Sequence, residues 1–102
     1  MLYMVIEHFR DQSAQKVYQR AHSQGRMLPD GLHYIDSWVD TSFERCFQLM
    51  ECDDIALFEE WFQHWSDLVK FEVIPVHTSQ QAFEAFKNES LSIPTKVPDP
   101  SE

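Results

Sequence analysis

The chain has 102 residues, and its 17 acidic and 8 basic side chains give a formal net charge of −9. This length predicts one domain with a single, modest core, and the apolar fraction of 43% excludes a disordered chain. Because a polyanion repels phosphate, the charge excludes non-specific binding to nucleic acid. No apolar run approaches the roughly 20 residues that a helix needs to cross a bilayer, so we expect no membrane association.

The first two predicted elements are a strand and a helix. Residues 2–9 are apolar, aromatic and β-branched without glycine or proline, which favours a strand. After Ser13, a typical N-cap residue, apolar side chains recur from Ala14 to Ala21 at the spacing of one helical stripe. Gly25 predicts the end of this helix.

Two further strands follow in the sequence. The segment Pro29-Asp30-Gly31 is typical of a turn. Residues 32–40 and 44–52 both favour strands, and the short link at 41–43 predicts a hairpin between them. These two strands should therefore be antiparallel neighbours.

The last predicted elements are a helix, a strand and a short third helix. Asp53 or Asp54 caps a helix with a wide aromatic stripe, which consists of Leu57, Phe58, Trp61, Phe62 and Trp65. Residues 69–77 favour a strand, which should lie at a sheet edge because Pro75 has no N–H to donate. We expect Ser79 to cap the third helix.

This order of elements predicts an α+β, ferredoxin-like βαββαβ fold, an antiparallel sheet with its helices on one face. We assign residues 1–88 to this domain. Residues 89–102 are rich in proline, serine and charge, and we interpret them as a flexible C-terminal tail. The other face of the sheet would be bare, so we expect it to meet a ligand or a second copy of the chain.

Alternation of side chains along the strands predicts which residues line the bare face. To the helix-covered side we assign the apolar sets, namely Leu2, Met4, Ile6, Ile35, Val39, Phe47 and Leu49. The remaining aromatic and polar residues define a candidate cavity on the bare face, which consists of Glu7, Tyr34, Asp36, Trp38, Gln48 and Met50.

Two features near this surface suggest chemistry. Glu7 and Asp36 could share the cavity as a carboxylate pair for acid–base catalysis, although carboxylates in an acidic protein are more often solvated. Arg26 lies in the loop before the turn, where it could meet an anionic ligand or complement the dipole at the end of the first helix.

Other catalytic signals are weak. The histidines form no helical H-x-x-x-H pair, and we predict neither a metal site nor a cofactor. With two glycines the chain lacks a glycine-rich phosphate loop. Because Met1 leads into the first strand without a secretory signal, we expect a cytoplasmic protein in which Cys46 and Cys52 are reduced and packed as small apolar residues.

The stretches MLYMVIEHF, GRMLPDGLHYIDSWVD, RCFQLMECDD and FEVIPV resemble the domain of unknown function 3303 family of small bacterial proteins. The resemblance covers roughly residues 1–80 and brings no established activity. It implies a fold similar to the dimeric α/β-barrel group, in which two ferredoxin-like sheets face each other. In that group, cavities can host cofactor-independent monooxygenase or haem chemistry.

Three hypotheses of function remain open. The first is a homodimer whose facing sheets enclose a small hydrophobic ligand, or a purely structural module of the same form. The second is a small cofactor-independent enzyme, monooxygenase- or isomerase-like, that acts on a hydrophobic or aromatic compound with Glu7, His8 or Asp36 as a proton carrier. The third is a partner-binding regulatory protein that uses its acidic surface and tail.

Overall fold

A computed structural model describes residues 1–87, in which four strands form one antiparallel sheet. The strands are β1 (Leu2–Phe9), β2 (His33–Val39), β3 (Arg45–Glu51) and β4 (Val69–Val76), and the helices are α1 (Ala14–Gln24), α2 (Ala56–Phe62) and α3 (Ser79–Phe86). The spatial order β2-β3-β1-β4 confirms the predicted ferredoxin-like fold and places β4 at an edge. The predicted tail, residues 89–102, lies outside the described residues.

The core lies between one face of the sheet and the helices α1 and α2. Val5, Met50 and Trp61 are fully buried there. Each large apolar side chain buried in this way contributes roughly 1.5–3 kcal/mol, so this layer is the main source of stability. No residue of α3 is buried, and no helix among residues 1–87 has the length and apolar character to cross a membrane.

The sheet faces of β1 and β3 are the reverse of those predicted from the sequence. The residues that face the helices are Tyr3, Val5, Glu7, Cys46, Gln48 and Met50. Those on the other face, which lies outside the core formed with α1 and α2 and which we call the uncovered face, are the half-buried Leu2, Met4, Ile6, Phe47 and Leu49. Both faces of these strands carry apolar side chains, so counting them does not identify the core side.

A β-bulge changes the phase of β2. The register between β2 and β3 shifts between Tyr34 and Asp36, which makes Ile35 the extra residue. Tyr34 therefore packs on the helix-facing side, whereas Asp36 and Trp38 lie on the uncovered face. The sequence prediction placed all three on one face, because strict alternation does not allow for an inserted residue.

The ends of two helices differ in detail from the prediction. α1 ends at Gly25, whose φ of 69° is left-handed, as predicted. Ser13 does not cap α1 with its side chain, since its hydroxyl donates to the carbonyl oxygen of Leu68 at 2.7 Å. Thr78, and not the following serine, caps α3 in a reciprocal capping box with Gln81.

Candidate functional site

A cavity of about 220 Å³ lies between the sheet, α1 and α2. Its apolar lining includes Val17, Tyr18, Ala21, Trp61 and Trp65. Its polar lining consists of Glu7, Arg26, Ser37, Cys46 and Gln48. A mainly apolar cavity with a few convergent polar groups is typical of a small-molecule site.

Glu7 contributes a buried carboxyl group to this cavity. Its side chain is 6% exposed, and its Oε2 accepts a hydrogen bond of 2.7 Å from Nε2 of Gln48. Burial raises the pKa of Glu7 to about 7, because desolvation outweighs the opposing effects of the Cys46 thiol, Arg26 and Gln48. At neutral pH the carboxyl is therefore close to half protonated and can donate or accept a proton.

Cys46 lies directly across from Glu7 in the pairing of β1 and β3. Burial and the neighbouring Glu7 carboxyl raise the pKa of the Cys46 thiol to about 12. The group is thus a neutral thiol at physiological pH and a poor nucleophile. Cys46 and Cys52 are both free and buried, as small apolar residues would be.

Arg26 links the loop after α1 to the carboxyl group. Its Cζ lies 3.6 Å from the centroid of the Tyr34 ring, a close cation–π contact. Its Nε donates to Oε1 of Gln48 over a long 3.4 Å, and Gln48 in turn donates to Glu7. A chain of polar contacts therefore runs from Arg26 through Gln48 to Glu7.

The backbone of Arg26 is held by two indole rings. Nε1 of Trp61 and Nε1 of Trp65 donate to the same carbonyl oxygen of Arg26, at 2.9 Å and 3.0 Å. The residues on either side, Gly25 and Met27, both have left-handed φ values, of 69° and 59°. A non-glycine residue in this region costs free energy and persists only where its surroundings fix it. These contacts fix the loop so that Arg26 faces the cavity.

Part of the predicted cavity set comes together at this site. Glu7 and Gln48 line the cavity, and Tyr34 borders it through its contact with Arg26. Met50 is fully buried in the adjacent core. The prediction that these residues lie on the bare face is wrong, since the cavity is on the helix-covered side. The indoles that anchor Arg26 were predicted as part of the aromatic stripe of a helix, and their apolar spacing gave no sign of the shared acceptor.

Asp36 and Trp38 lie on the uncovered face, separated from the cavity by the sheet. The predicted carboxylate pair of Glu7 and Asp36 is therefore wrong, because the bulge in β2 and the phase of β1 place the two groups on opposite faces. His8 is also on the uncovered face, where its Nε2 lies 3.3 Å from Oε1 of Glu72. Within residues 1–87, no three side chains of histidine, cysteine, aspartate or glutamate are grouped to hold a metal ion.

The uncovered face of the sheet is a second surface with a distinct charge pattern, which we call the open face. Its centre is apolar and consists of Met4, Ile6, Trp38, Phe47, Leu49 and Ile74. Trp38 is 53% exposed on this face. Asp36 and Glu51 lie toward one end of the strands, Arg45 and Lys70 lie at the other, and Glu72 lies beside Ile6 near Lys70. The open face therefore has a largely apolar middle, an acidic end, and an end of mixed charge that carries Arg45 and Lys70.

Three comparisons place the chain among known proteins. One similar solved structure is a candidate antibiotic biosynthesis monooxygenase from Deinococcus radiodurans, 10% identical, covering 76% of this chain and 93% of that protein with a TM-score of 0.42. No curated protein matches the sequence. A family model described as "Domain of unknown function (DUF3303)" matches residues 1–90, which includes α3 and so extends beyond the predicted region of resemblance. The chain therefore belongs to the DUF3303 family, as its strand sequences indicated.

Proposed function

We propose that the protein is a homodimer that binds a small hydrophobic or aromatic ligand in the cavity beside Glu7. The observation that carries this proposal is a buried carboxyl group, with a pKa of about 7, in a mainly apolar cavity. Burying a carboxyl group costs free energy that an apolar side chain would not. Such groups are concentrated at functional sites, which favours a binding role over a purely structural one.

Native mass spectrometry of the protein purified from its own host tests ligand binding. Ala21 lines the cavity, so Ala21→Phe should fill it and remove a co-purified small molecule. Ala85→Phe is the matched control, because Ala85 is exposed on α3. We expect an adduct on the wild type and on A85F only. A wild-type protein without adduct, or an equal adduct on A21F, would contradict the proposal.

The homodimer is supported by the charge pattern of the open face. A two-fold axis that runs across the strands would stack two open faces with their apolar centres together. Each strand would then face its own counterpart, so Glu51 at one end of β3 would lie over Arg45 at the other end of β3 in the second copy. Opposite charges would then meet at both ends of the same interface, which favours a second copy of this chain as the occupant.

Sedimentation velocity at micromolar concentration tests this pairing. Trp38→Lys places a charge in the apolar centre of the open face and should shift the protein from dimer to monomer. Ile55→Lys is the control, since Ile55 is a comparably exposed apolar residue at the start of α2, away from the sheet. A wild-type monomer, or a W38K protein that remains dimeric, would overturn the dimer.

The second candidate is a cofactor-independent enzyme, and the protonation state of Glu7 favours it. A carboxyl with a pKa near 7 can remove a proton from a carbon next to a carbonyl group and return it at another position, which is an isomerisation. A monooxygenase-like reaction would begin with the same proton removal and would need dioxygen as the second substrate. His8 and Asp36, the other predicted proton carriers, lie on the open face and have no part in either reaction.

Hydrogen–deuterium exchange of phenylacetone in D2O, followed by NMR, tests the proton-transfer step. The wild type should accelerate exchange at the carbon next to the carbonyl, and Glu7→Gln should abolish the acceleration. Asp36→Asn should leave it unchanged, because Asp36 does not reach the cavity. Exchange at the rate of buffer alone would exclude this candidate.

A further inference from the structure

We infer that the cavity selects monocyclic aromatic acids, with the ring beside Trp61 of α2 and Trp65 of the turn after it, and with the anionic oxygens on the guanidinium of Arg26. This inference rests on the proposed function, because it names the ligand class of the same cavity. It is carried by the position of Arg26, by the way its loop is fixed, by the size of the cavity, and by the carboxyl group of Glu7.

Arg26 differs from two other arginines of the chain. Arg20 makes a bidentate pair with Asp67 at 2.7 and 2.8 Å, and Arg45 lies 3.1 Å from Asp40. None of the ion pairs described within residues 1–87 involves Arg26. Its described partners are the Gln48 amide through Nε and the Tyr34 ring. The two terminal nitrogens are therefore the donors that a ligand would use.

The guanidinium of Arg26, an exposed residue, is oriented by its stacking on Tyr34 before any ligand binds. The Arg26 carbonyl is bonded by both Trp61 and Trp65, and the side chain is stacked on Tyr34. A planar guanidinium with two parallel N–H groups matches a carboxylate, which it binds in a bidentate manner. Because the side chain is already ordered, less conformational entropy is lost on binding.

The cavity next to Arg26 suits an aromatic ring. Trp61, Trp65, Val17 and Ala21 supply its apolar walls. Its volume of about 220 Å³ is below the range of roughly 300–1,000 Å³ that is usual for drug-sized ligands, so a single ring fits better than a polycyclic compound. An acid with one ring would place its carboxylate at Arg26 and its ring between the sheet and the helices.

Glu7 couples this binding to protonation. The groups that face it are Tyr18 from α1, Arg26 from the loop, and Cys46 and Gln48 from β3, whereas β4 and α2 contribute the non-titrating Phe71 and Trp61. When Glu7 is ionised, it offsets the charge of Arg26 and repels a second anion. An acidic ligand should therefore bind together with one proton, which is held by Glu7.

Isothermal titration calorimetry with benzoate and benzamide tests the inference. At about pH 6 benzoate should bind at least about tenfold more tightly than its neutral isostere, since an additional charge-assisted hydrogen bond is worth about that much. Arg26→Gln should remove this preference and Arg26→Lys should restore part of it, because lysine keeps the charge but not the fork. Arg10→Gln is the control, because Arg10 is exposed and outside the cavity lining.

The pH dependence gives a second, independent readout. With half-protonation of Glu7 near pH 7, benzoate affinity should fall about tenfold between about pH 6 and about pH 8. In Glu7→Gln this dependence should disappear, while binding at about pH 8 becomes tighter than in the wild type. A benzoate preference that survives in R26Q, or an affinity that rises with pH, would overturn the inference.

The two proposals fail in distinguishable ways. If benzamide binds as tightly as benzoate in the wild type and neither binds to A21F, the cavity is a ligand site and the selection of acids is wrong. If neither compound binds and the protein from its own host carries no small molecule, the inference and the proposed ligand site both fall.

Discussion

Replacing Glu7 with glutamine tests whether a buried carboxyl group controls the stability of this fold. Glutamine has nearly the same shape, and its amide oxygen can still accept the hydrogen bond from Gln48. The substitution therefore removes the ionisation of the group and leaves its packing largely intact.

The expected effect follows from the pKa of Glu7 in the two states. The value is about 7 in the folded protein and 4.5 for the free side chain. Below pH 4.5 the carboxyl is protonated in both the folded and the unfolded protein, so its ionisation does not change the free energy of unfolding. Between the two values the unfolded chain releases the proton first, so unfolding becomes more favourable by about 1.4 kcal/mol for each pH unit. Above pH 7 the free energy of unfolding has fallen by the full amount, which is about 3 kcal/mol.

Urea denaturation followed by far-ultraviolet circular dichroism, at pH values from about 4 to about 8, measures this effect. The stability of E7Q minus that of the wild type should grow by about 3 kcal/mol as the pH rises through this range. Asp40 and Asp67 have lowered pKa values because of their hydrogen bonds, so their stabilising contributions are lost only at more acidic pH and cancel in the difference.

Glu60→Gln provides the matched control, because Glu60 is exposed on α2. Its difference from the wild type should stay within about 0.5 kcal/mol at every pH, as is usual for a surface substitution. If the E7Q difference is equally flat, then Glu7 is not desolvated in solution, and the argument for a proton-exchanging cavity is wrong.

Four further predictions concern other contacts. Trp61→Phe and Trp65→Phe should each remove one hydrogen bond to the Arg26 carbonyl oxygen. In urea denaturation the double variant should lose more free energy of unfolding than the two single variants together, because only in the double variant is the carbonyl unpaired. Additive losses would refute the shared role of the two indoles. Arg20→Gln should cost up to about 1 kcal/mol by breaking the bidentate pair with Asp67, and a loss independent of salt would argue against an ionic contribution. Thr78→Ala should weaken α3 by about 1 kcal/mol, seen as roughly fivefold faster amide exchange in α3 alone, with the melting temperature unchanged because α3 buries nothing. Cys46 should resist thiol reagents until urea unfolds the chain, since its pKa is about 12; rapid modification of the native protein would contradict its burial.

The order and ends of the strands could be predicted because the sequence signals are local. Residues 2–9 are an uninterrupted run of strand-forming residues, and β1 has these bounds. Pro75 cannot donate to a second neighbour, and β4 is at the edge of the sheet. Gly25 ends α1 in a left-handed conformation, as a C-terminal glycine should.

The faces of the sheet could not be predicted, because they depend on long-range packing. Leu2, Met4 and Ile6 are all apolar and lie on the open face, whereas the alternate residues include Glu7 and face the core. The bulge at Ile35 has no glycine to mark it, and it moves Asp36 to the opposite face from Tyr34. A carboxyl group in the core contradicts simple patterning, and such local disagreements are expected at functional sites.

Arg26 shows both what the sequence can indicate and what it cannot. Its position in a loop between a helix and a strand made it a candidate for an anionic ligand, and the structure places it at the cavity, where binding stays a prediction. The two indoles that hold its carbonyl come from residues 35 and 39 positions further along the chain. Nothing in the spacing of a helical apolar stripe reveals a shared hydrogen-bond acceptor.

Because both cavity indoles pair with one carbonyl, the intrinsic tryptophan fluorescence of the protein should report on the cavity. Trp61 and Trp65 are buried, line the cavity and bond to the same loop carbonyl, whereas Trp38 is exposed on the other side of the sheet. In a Trp38→Phe protein, all of the tryptophan emission would come from the two indoles beside Arg26. Occupancy of the cavity could then be followed, without an attached label, by the emission wavelength and fluorescence lifetime of Trp61 and Trp65.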